Sequence, residues 1–352
     1  MSAPGCRVHW CAPLLITSSS KHLELIGATW LGIRDQTLPI VVSRLIVQFE
    51  RRMGAFSDRP PSHATDRTCD AGLMPVTITR NVKEAYVADG VAKLTGLFDS
   101  DQLAQLLRLF EWTVAHPSPN ASHRIDGDTL FHSDNLSPDA PEVYRDTVLR
   151  LPFGDALTQL WNTEEVHYFG EEVFWKQGTV GRTQWHQDTS YYPWGGSQWV
   201  NMWISFDPVP LSHALEVIRG SHRQTLYDGT RFDPSDPTLP LWGDAGDFPR
   251  LPDIEAERAN DPNSWDAVAF DIEPGDALLL HPGTLHGGGP VDTELPSRRT
   301  LALRFFGSDA VWADLPSDRA VLTEDQIRYT SLDNRGTPGT PMAGVNGSIR
   351  IA

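Results

Sequence analysis

The chain has 352 residues, of which 40% are hydrophobic and 21% charged, a balance that excludes a disordered or fibrous protein. Its formal net charge is −17 with a pI near 5.0, and so acidic a chain repels phosphate backbones and anionic lipid, so neither nucleic acid nor membrane is expected as a partner. Three cysteines, Cys6, Cys11 and Cys69, form neither a disulfide framework nor a zinc-finger spacing; free thiols fit a reducing, cytoplasmic compartment.

Residues 1–73 read unlike the rest. They mix short apolar patches with Thr17-Ser18-Ser19-Ser20 and a loop-like stretch at 57–62. The apolar runs at 11–16 and 38–49 are too short for a secretory core or a bilayer span. This segment is expected to be a poorly packed extension or a translation-start artefact, with the domain proper spanning 74–352. A clean pattern begins at Met74. A short strand signal at Val76 and Ile78 precedes an apolar segment at 85–94. Ser100 then stands where a helix N-cap would, ahead of an i, i+3, i+4 stripe of Leu103, Leu106, Leu107, Phe110 and Val114. From Val166 onward strand signals dominate, at 171–177, 199–206 and 300–306. Glu273-Pro274-Gly275-Asp276 reads as a turn into the apolar run Ala277–Leu280. Short strands punctuated by Gly and Pro predict a mainly β fold with flanking helices, a sandwich or jelly roll.

The chemistry concentrates in Trp185-His186-Gln187-Asp188. On a strand, residues i and i+2 share a face, so His186 and Asp188 present an imidazole and a carboxylate side by side. About a hundred residues on stands Leu280-His281-Pro282-Gly283-Thr284-Leu285-His286-Gly287-Gly288-Gly289. A histidine from that stretch completes two imidazoles and one carboxylate, which cover one face of an octahedron and leave three positions open, as in iron(II) oxygenases. Zinc hydrolases use the same residue types. Downstream, 296–305 carries Arg298, Arg299 and Arg304, and an arginine's planar fork suits the distal carboxylate of a dicarboxylic acid.

These stretches, together with Leu215-Glu216-Val217-Ile218-Arg219-Gly220-Ser221-His222-Arg223, resemble the phytanoyl-CoA dioxygenase family of iron(II)/2-oxoglutarate oxygenases. The resemblance covers roughly 74–312 and is sharpest over 175–223 and 271–312. It implies a double-stranded β-helix (jelly-roll, cupin-like) core with His186, Asp188 and His286 as iron ligands. It also implies Arg298 as the anchor of 2-oxoglutarate and Trp203 beside that cosubstrate. The reaction implied consumes 2-oxoglutarate and O2 and releases succinate and CO2. Relatives that halogenate have a small residue in place of the carboxylate ligand; Asp188 is present, so hydroxylation or another oxidation is expected. One departure is His213-Ala214-Leu215, where the family often has Asn-Gly, in a turn away from the metal.

His286 is preferred over His281 because it opens the glycine-rich stretch, whereas His281 ends an apolar run. Arg298 and Arg299, as neighbours on a strand, face opposite sides, and only one points inward. Arg304 shares the parity of Arg298 but lies farther along, where it suits a partner to a buried acid. Tyr191, Tyr192, Trp194 and Trp199 are candidates for an apolar substrate pocket. The long Asp/Pro-rich stretch at 223–269 reads as a lid or binding loop, too acidic to welcome a phosphate-bearing acyl-CoA. A small lipophilic or natural-product-like substrate is therefore expected. Two other classes share these residues: a zinc- or other metal-dependent hydrolase or isomerase on the same scaffold, and a catalytically silent binding protein.

Overall fold

The computed structural model describes residues 76–192, 194–243, 248–313, 336–344 and 348–352. The three cysteines and the whole 1–73 segment lie outside the described residues. The described residues all belong to one compact unit, 72–352.

The unit opens with α1 (Arg80–Asp89) and β1 (Val91–Leu94), not with a strand at Val76 and Ile78. Ile78 is buried, but its backbone N–H and the carbonyl of Val76 bond the side-chain amide of Gln159 at 3.1 and 2.8 Å. A side chain thus satisfies groups that a neighbouring strand would otherwise pair. Gly90 makes the sharp link from α1 to β1 at φ 77°, and a Cβ there would lie 2.3 Å from Thr284 Oγ1. The next helix, α2 (Ser100–Ala115), is capped by Asp99, with Ser100 its first residue rather than its cap. Asp99 accepts from the N–H groups of Asp101 and Gln102, and Gln102 accepts from that of Asp99, a reciprocal capping box. The hairpin β2 (Ser122–Asp126) and β3 (Thr129–Asn135) follows, then α3 (Ala140–Arg150) and α4 (Phe153–Trp161).

The strand-rich half contains β4 (Val166–Gln177), β5 (Trp194–Gly195), β6 (Trp199–Ser205), β7 (Glu216–Ile218), β8 (Ala267–Ala269), β9 (Ala277–Leu280), β10 (His286–Gly287), β11 (Ser297–Gly307), β12 (Val311–Trp312) and β13 (Ile349–Arg350). Helix α5 (Ile254–Asn260) interrupts the stretch between β7 and β8, so 223–269 is not wholly irregular. The large sheet runs β1-β9-β6-β11-β4-β3-β2, with β13 also on β4; a small sheet runs β10-β7-β8, and β12 pairs β5. Among the described residues these ladders do not close into a barrel. The molecule is a mixed α/β fold.

Alternation along β11 divides the core. Leu301, Leu303 and Phe305 face the helices, with Met202, Ile204 and Val173 beside them and Leu106, Phe153 and Leu157 opposite. Phe305 is fully buried against Phe153 and Tyr168, so Phe305→Ala should cost about 3–5 kcal/mol. The other face carries Arg298, Thr300, Ala302 and Arg304. Register places Lys176, Phe174, Glu172 and Gly170 beside them on β4, and Ser205, Trp203 and Asn201 beside the last three on β6. On this face Trp203, Leu278, Leu280 and Ala302 pack with Val217, Val291 and Ile272 from the opposing layer. Isolated bridges at Val180–Val291 and His186–His286 extend that layer past the small sheet. The functional groups lie between the two layers.

Candidate metal centre

His186 enters the site from a bridge, not from a regular strand: it pairs with His286 through reciprocal backbone bonds of 3.0 Å. Gln187 is extended (φ −120°, ψ 127°), and a 3-10 turn starts at Asp188. One extended residue therefore suffices to bring the side chains at i and i+2 to one side. Nε2 of His186 lies 3.3 Å from Asp188 Oδ1, and Nε2 of His286 lies 3.9 Å from the same oxygen. The three donor atoms fall within 4.8 Å of one another, and among the described residues this is the one cluster of three or more potential ligands. His281 is elsewhere: its ring sits 5.0 Å from that of His222 and its Nδ1 accepts from the N–H of Gly283.

The bonding around the trio fits a divalent metal. Nδ1 of His186 donates to the carbonyl of Gln184 at 2.8 Å, and Nδ1 of His286 donates to that of Thr284 at 2.9 Å. Each Nδ1–H bond fixes the tautomer that leaves the Nε2 lone pair facing the centre. Asn201 Nδ2 donates to Asp188 Oδ2, so that Oδ1 remains for the metal. Burial, reinforced by the charge on His186, pulls the His286 imidazole down to about 4, its neutral, ligating form. Burial opposes charge on His186 and Asp188 too, but their mutual hydrogen bond wins, raising the imidazole and holding the carboxyl well below its ordinary range, so a metal would take the place of the proton that His186 Nε2 shares with Asp188.

Arg298 is 6% exposed and donates to the carbonyls of His213 (2.5 Å) and Gly289 (2.8 Å). Beside it, Lys176 is 2% exposed and donates to the Gly181 carbonyl at 3.0 Å and Thr183 Oγ1 at 3.1 Å. Neither cation has a carboxylate within 4.0 Å among the described residues. Burial, then the charges of Arg298 and Arg182, bring the Lys176 ammonium down to about 7, and burial brings Arg298 to about 10. Two adjacent buried cations without a counter-ion leave positive charge uncompensated in a dry place. Arg299, of opposite parity, is half-buried and joined to Asp207 through Nη2 (2.8 Å) and Nε (3.2 Å). Arg304 is fully buried and ion-paired to Glu172, under the rings of Tyr192 and Trp194.

The turn at His213-Ala214-Leu215 bears on Arg298 directly, since its His213 carbonyl holds that guanidinium. The glycine-rich stretch serves the same place. A Cβ on Gly289 would lie 2.4 Å from the His213 carbonyl, so the close approach is to the backbone that holds the arginine.

The profile of the family described as Phytanoyl-CoA dioxygenase (PhyH) matches residues 86–300, more than half of the chain. The chain belongs to the phytanoyl-CoA dioxygenase family. It is an iron(II)- and 2-oxoglutarate-dependent oxygenase, with O2 as its second cosubstrate. A curated relative from Stutzerimonas stutzeri, described as a probable alpha-ketoglutarate-dependent hypophosphite dioxygenase, is 22% identical over 240 residues, 64% of this chain and 77% of the relative. Among solved structures, the epimerase SnoN in complex with Fe3+, alpha ketoglutarate and nogalamycin RO aligns with a TM-score of 0.55 at 16% identity, covering 77% of this chain and 98% of that one. The carbocyclase SnoK from nogalamycin biosynthesis aligns at 0.54 and 15% identity, covering 78% and 97%. These likenesses show a fold shared with jelly-roll oxygenases.

Within this family member, the aromatic residues singled out in the sequence divide. Tyr192, Trp194 and Trp199 stack face to face, with centroids 4.1 and 4.5 Å apart, and all three are buried with Phe306. Tyr191 stands apart, half-buried, its ring 6.2 Å from that of His186. Trp203 packs among Leu278, Ala302 and Val217. Sequence reasoning missed Lys176, Asn201 and Glu172. Asn201 acquires its meaning only once β6 lies against the turn at Asp188, and Lys176 and Glu172 only once β4 is registered against β11.

Proposed function

We propose that this oxygenase hydroxylates a small lipophilic or natural-product-like molecule, with His186, Asp188 and His286 as the iron ligands and Arg298 as the 2-oxoglutarate anchor. The observation that carries this reading is the pairing of an intact donor trio with a buried arginine that has no acid of its own. Iron(II) held there would supply the redox chemistry that couples decarboxylation of 2-oxoglutarate to insertion of one oxygen atom into a substrate C–H bond, giving succinate, CO2 and the alcohol. The chain's own residues do the rest. Gln184 and Thr284 orient the imidazoles, and Asn201 turns Asp188. Arg298, with Lys176 beside it, meets the distal carboxylate, and Trp203 flanks the same face. The layers around β6, β9 and β11 on one side and β7 and β10 on the other serve as the two walls of a double-stranded β-helix.

The substrate class follows from what surrounds the site. Tyr191, with the Tyr192, Trp194 and Trp199 stack behind it, supplies apolar and aromatic surface. Of the arginines that border the acidic loop, Arg182, Arg250 and Arg258 are already paired with Glu216, Glu255 and Asp236, which leaves Arg223 and Arg231 as the arginines of its described residues without an ion pair, a sparse rim for a phosphate-rich acyl-CoA. Among the described residues no helix is long and apolar enough to cross a membrane, and we assign the protein to the cytoplasm on its thiols. Anaerobic addition of iron(II) and then 2-oxoglutarate should produce a weak visible charge-transfer band, and O2 should then yield succinate. A zinc-loaded protein that hydrolyses a substrate while iron and 2-oxoglutarate give neither band nor succinate would overturn the reading.

A further inference from the structure

The loop after β7 is fastened to the very segment that carries two of the ligands. Gln184 Nε2 donates to the Asp233 carbonyl at 2.8 Å. Gln187 accepts from the Tyr227 N–H at 2.9 Å and donates to the Thr225 carbonyl at 3.2 Å. Ser190 Oγ donates to the Tyr227 carbonyl at 2.7 Å, and its own carbonyl accepts from Trp242 Nε1 at 2.9 Å. The Tyr191 hydroxyl accepts from the Thr230 N–H at 2.7 Å and donates to the Thr230 carbonyl at 3.0 Å. The fastening side chains from 184 to 191 interleave with His186 and Asp188, so the loop and the ligand segment form one hydrogen-bonded body.

At the middle of this loop stands Phe232. Its backbone is left-handed, with φ 53°, a conformation strained for a residue bearing a Cβ. Its side chain is 44% exposed, yet its ring lies edge-on to the His186 imidazole at 5.2 Å and stacks on Tyr191 at 5.9 Å and 16°. A phenyl ring that remains in water while touching a prospective metal ligand sits at the rim of the site. The strained backbone is what turns that ring back over His186 instead of outward.

We propose that Phe232 is a specificity-determining residue: with Tyr191 it forms a fixed aromatic wall that narrows the mouth of the metal site and selects substrates by size. The proposal rests on the reading of His186, Asp188 and His286 as the iron ligands. It makes the loop a built wall and not a swinging lid, because bonds to Thr230 on one side of Phe232 and to Asp233 on the other fasten it to the ligand segment.

The test uses the full chain loaded anaerobically with iron(II) and 2-oxoglutarate, and probes of graded size. Capture of the iron by 2,2′-bipyridine, a flat aromatic chelator, should be about tenfold faster in Phe232→Ala, the scale of discrimination that one apolar contact gives. Azide, small enough to pass the ring, should bind at the wild-type rate in both. Phe232→Tyr, which keeps the ring, should restore wild-type capture. The charge-transfer band should be the same in all three proteins. Equal bipyridine rates in wild type and Phe232→Ala would overturn the wall, as would an equal acceleration of azide, which would mean a loosened loop. A wild-type protein without the band would instead overturn the metal reading, and the proposal with it.

Discussion

A side chain's neighbours decide what it can do at this site, and two pairs of like residues make the point. His281 and His286 are five positions apart. Nε2 of His286 faces Asp188, whereas His281 is half-buried beside His222, brought down to about 4 first by desolvation and then by that neighbour. His286→Ala should abolish iron retention and the charge-transfer band. His281→Ala should keep both and leave measurable succinate formation; the reverse pattern would move the site. Arg298 and Arg299 are adjacent, and the strand sends them to opposite faces. Removing a charge-assisted buried contact costs about 2–4 kcal/mol, so Arg298→Ala should raise the 2-oxoglutarate requirement about thirtyfold or more while iron binding persists. Arg299→Ala strips Asp207 of a half-exposed partner and should cost stability, about 1 kcal/mol or less, with little change in that requirement. Succinate formation against 2-oxoglutarate concentration, with thermal unfolding beside it, separates the two effects. These residues were legible because motif spacing and strand parity are written into the sequence. Asn201 was not singled out, because its role depends on β6 lying against the 3-10 turn at Asp188, and nothing local signals that contact.

At the scale of elements, register creates properties that no segment holds alone. Lys176 on β4 faces Arg298 on β11, and the pair concentrates two positive charges in a dry place. The folded-state value of Lys176, about 7, lies below the ordinary lysine range, so the unfolded chain binds more protons between those two values. Stability of the ligand-free protein should therefore rise as pH goes from about 7 toward 10, and its penalty is complete below about 7. Lys176→Met should flatten that slope, as read from urea unfolding at a series of pH values. A bound dicarboxylate supplies the missing negative charge and favours the protonated amine. Affinity for 2-oxoglutarate should accordingly fall as pH rises above about 7, with proton uptake on binding that calorimetry in buffers of different ionisation enthalpy detects. A pH-independent affinity with no proton uptake would remove Lys176 from the cosubstrate's surroundings. The sequence displayed β9 and most of β11 because their apolar residues are buried on both faces. It misplaced Val76 and Ile78, where the Gln159 side chain substitutes for a strand, and it gave Ser100 a capping role that Asp99 performs one residue earlier.

For the whole molecule, the family match at 86–300 and the residues forming the described apolar clusters locate the working unit. Among the described residues the first are Val76 and Ile78, tied to α4 through Gln159, and α1 is capped by Thr79, which accepts from the Val82 N–H. From there on, each element buries an apolar face on another: α1, α2, α3 and α4 on the outer face of the large sheet, and the small sheet on its inner face. Among the described residues the contributors to these clusters lie between 76 and 352, each large side chain buried there is worth on the order of 1.5–3 kcal/mol, and the family match begins at 86. A chain beginning at Met74 should therefore fold cooperatively, retain iron and develop the same charge-transfer band with 2-oxoglutarate. Its thermal midpoint should stay within a few degrees of that of the full chain, since a shift of about 4 °C or less in a unit this size corresponds to roughly 1 kcal/mol. Expression of both chains, followed by calorimetry and anaerobic titration, checks this. Insoluble protein from the shorter chain, or soluble protein that fails to hold iron, would show instead that the first 73 residues supply part of the core or part of the site.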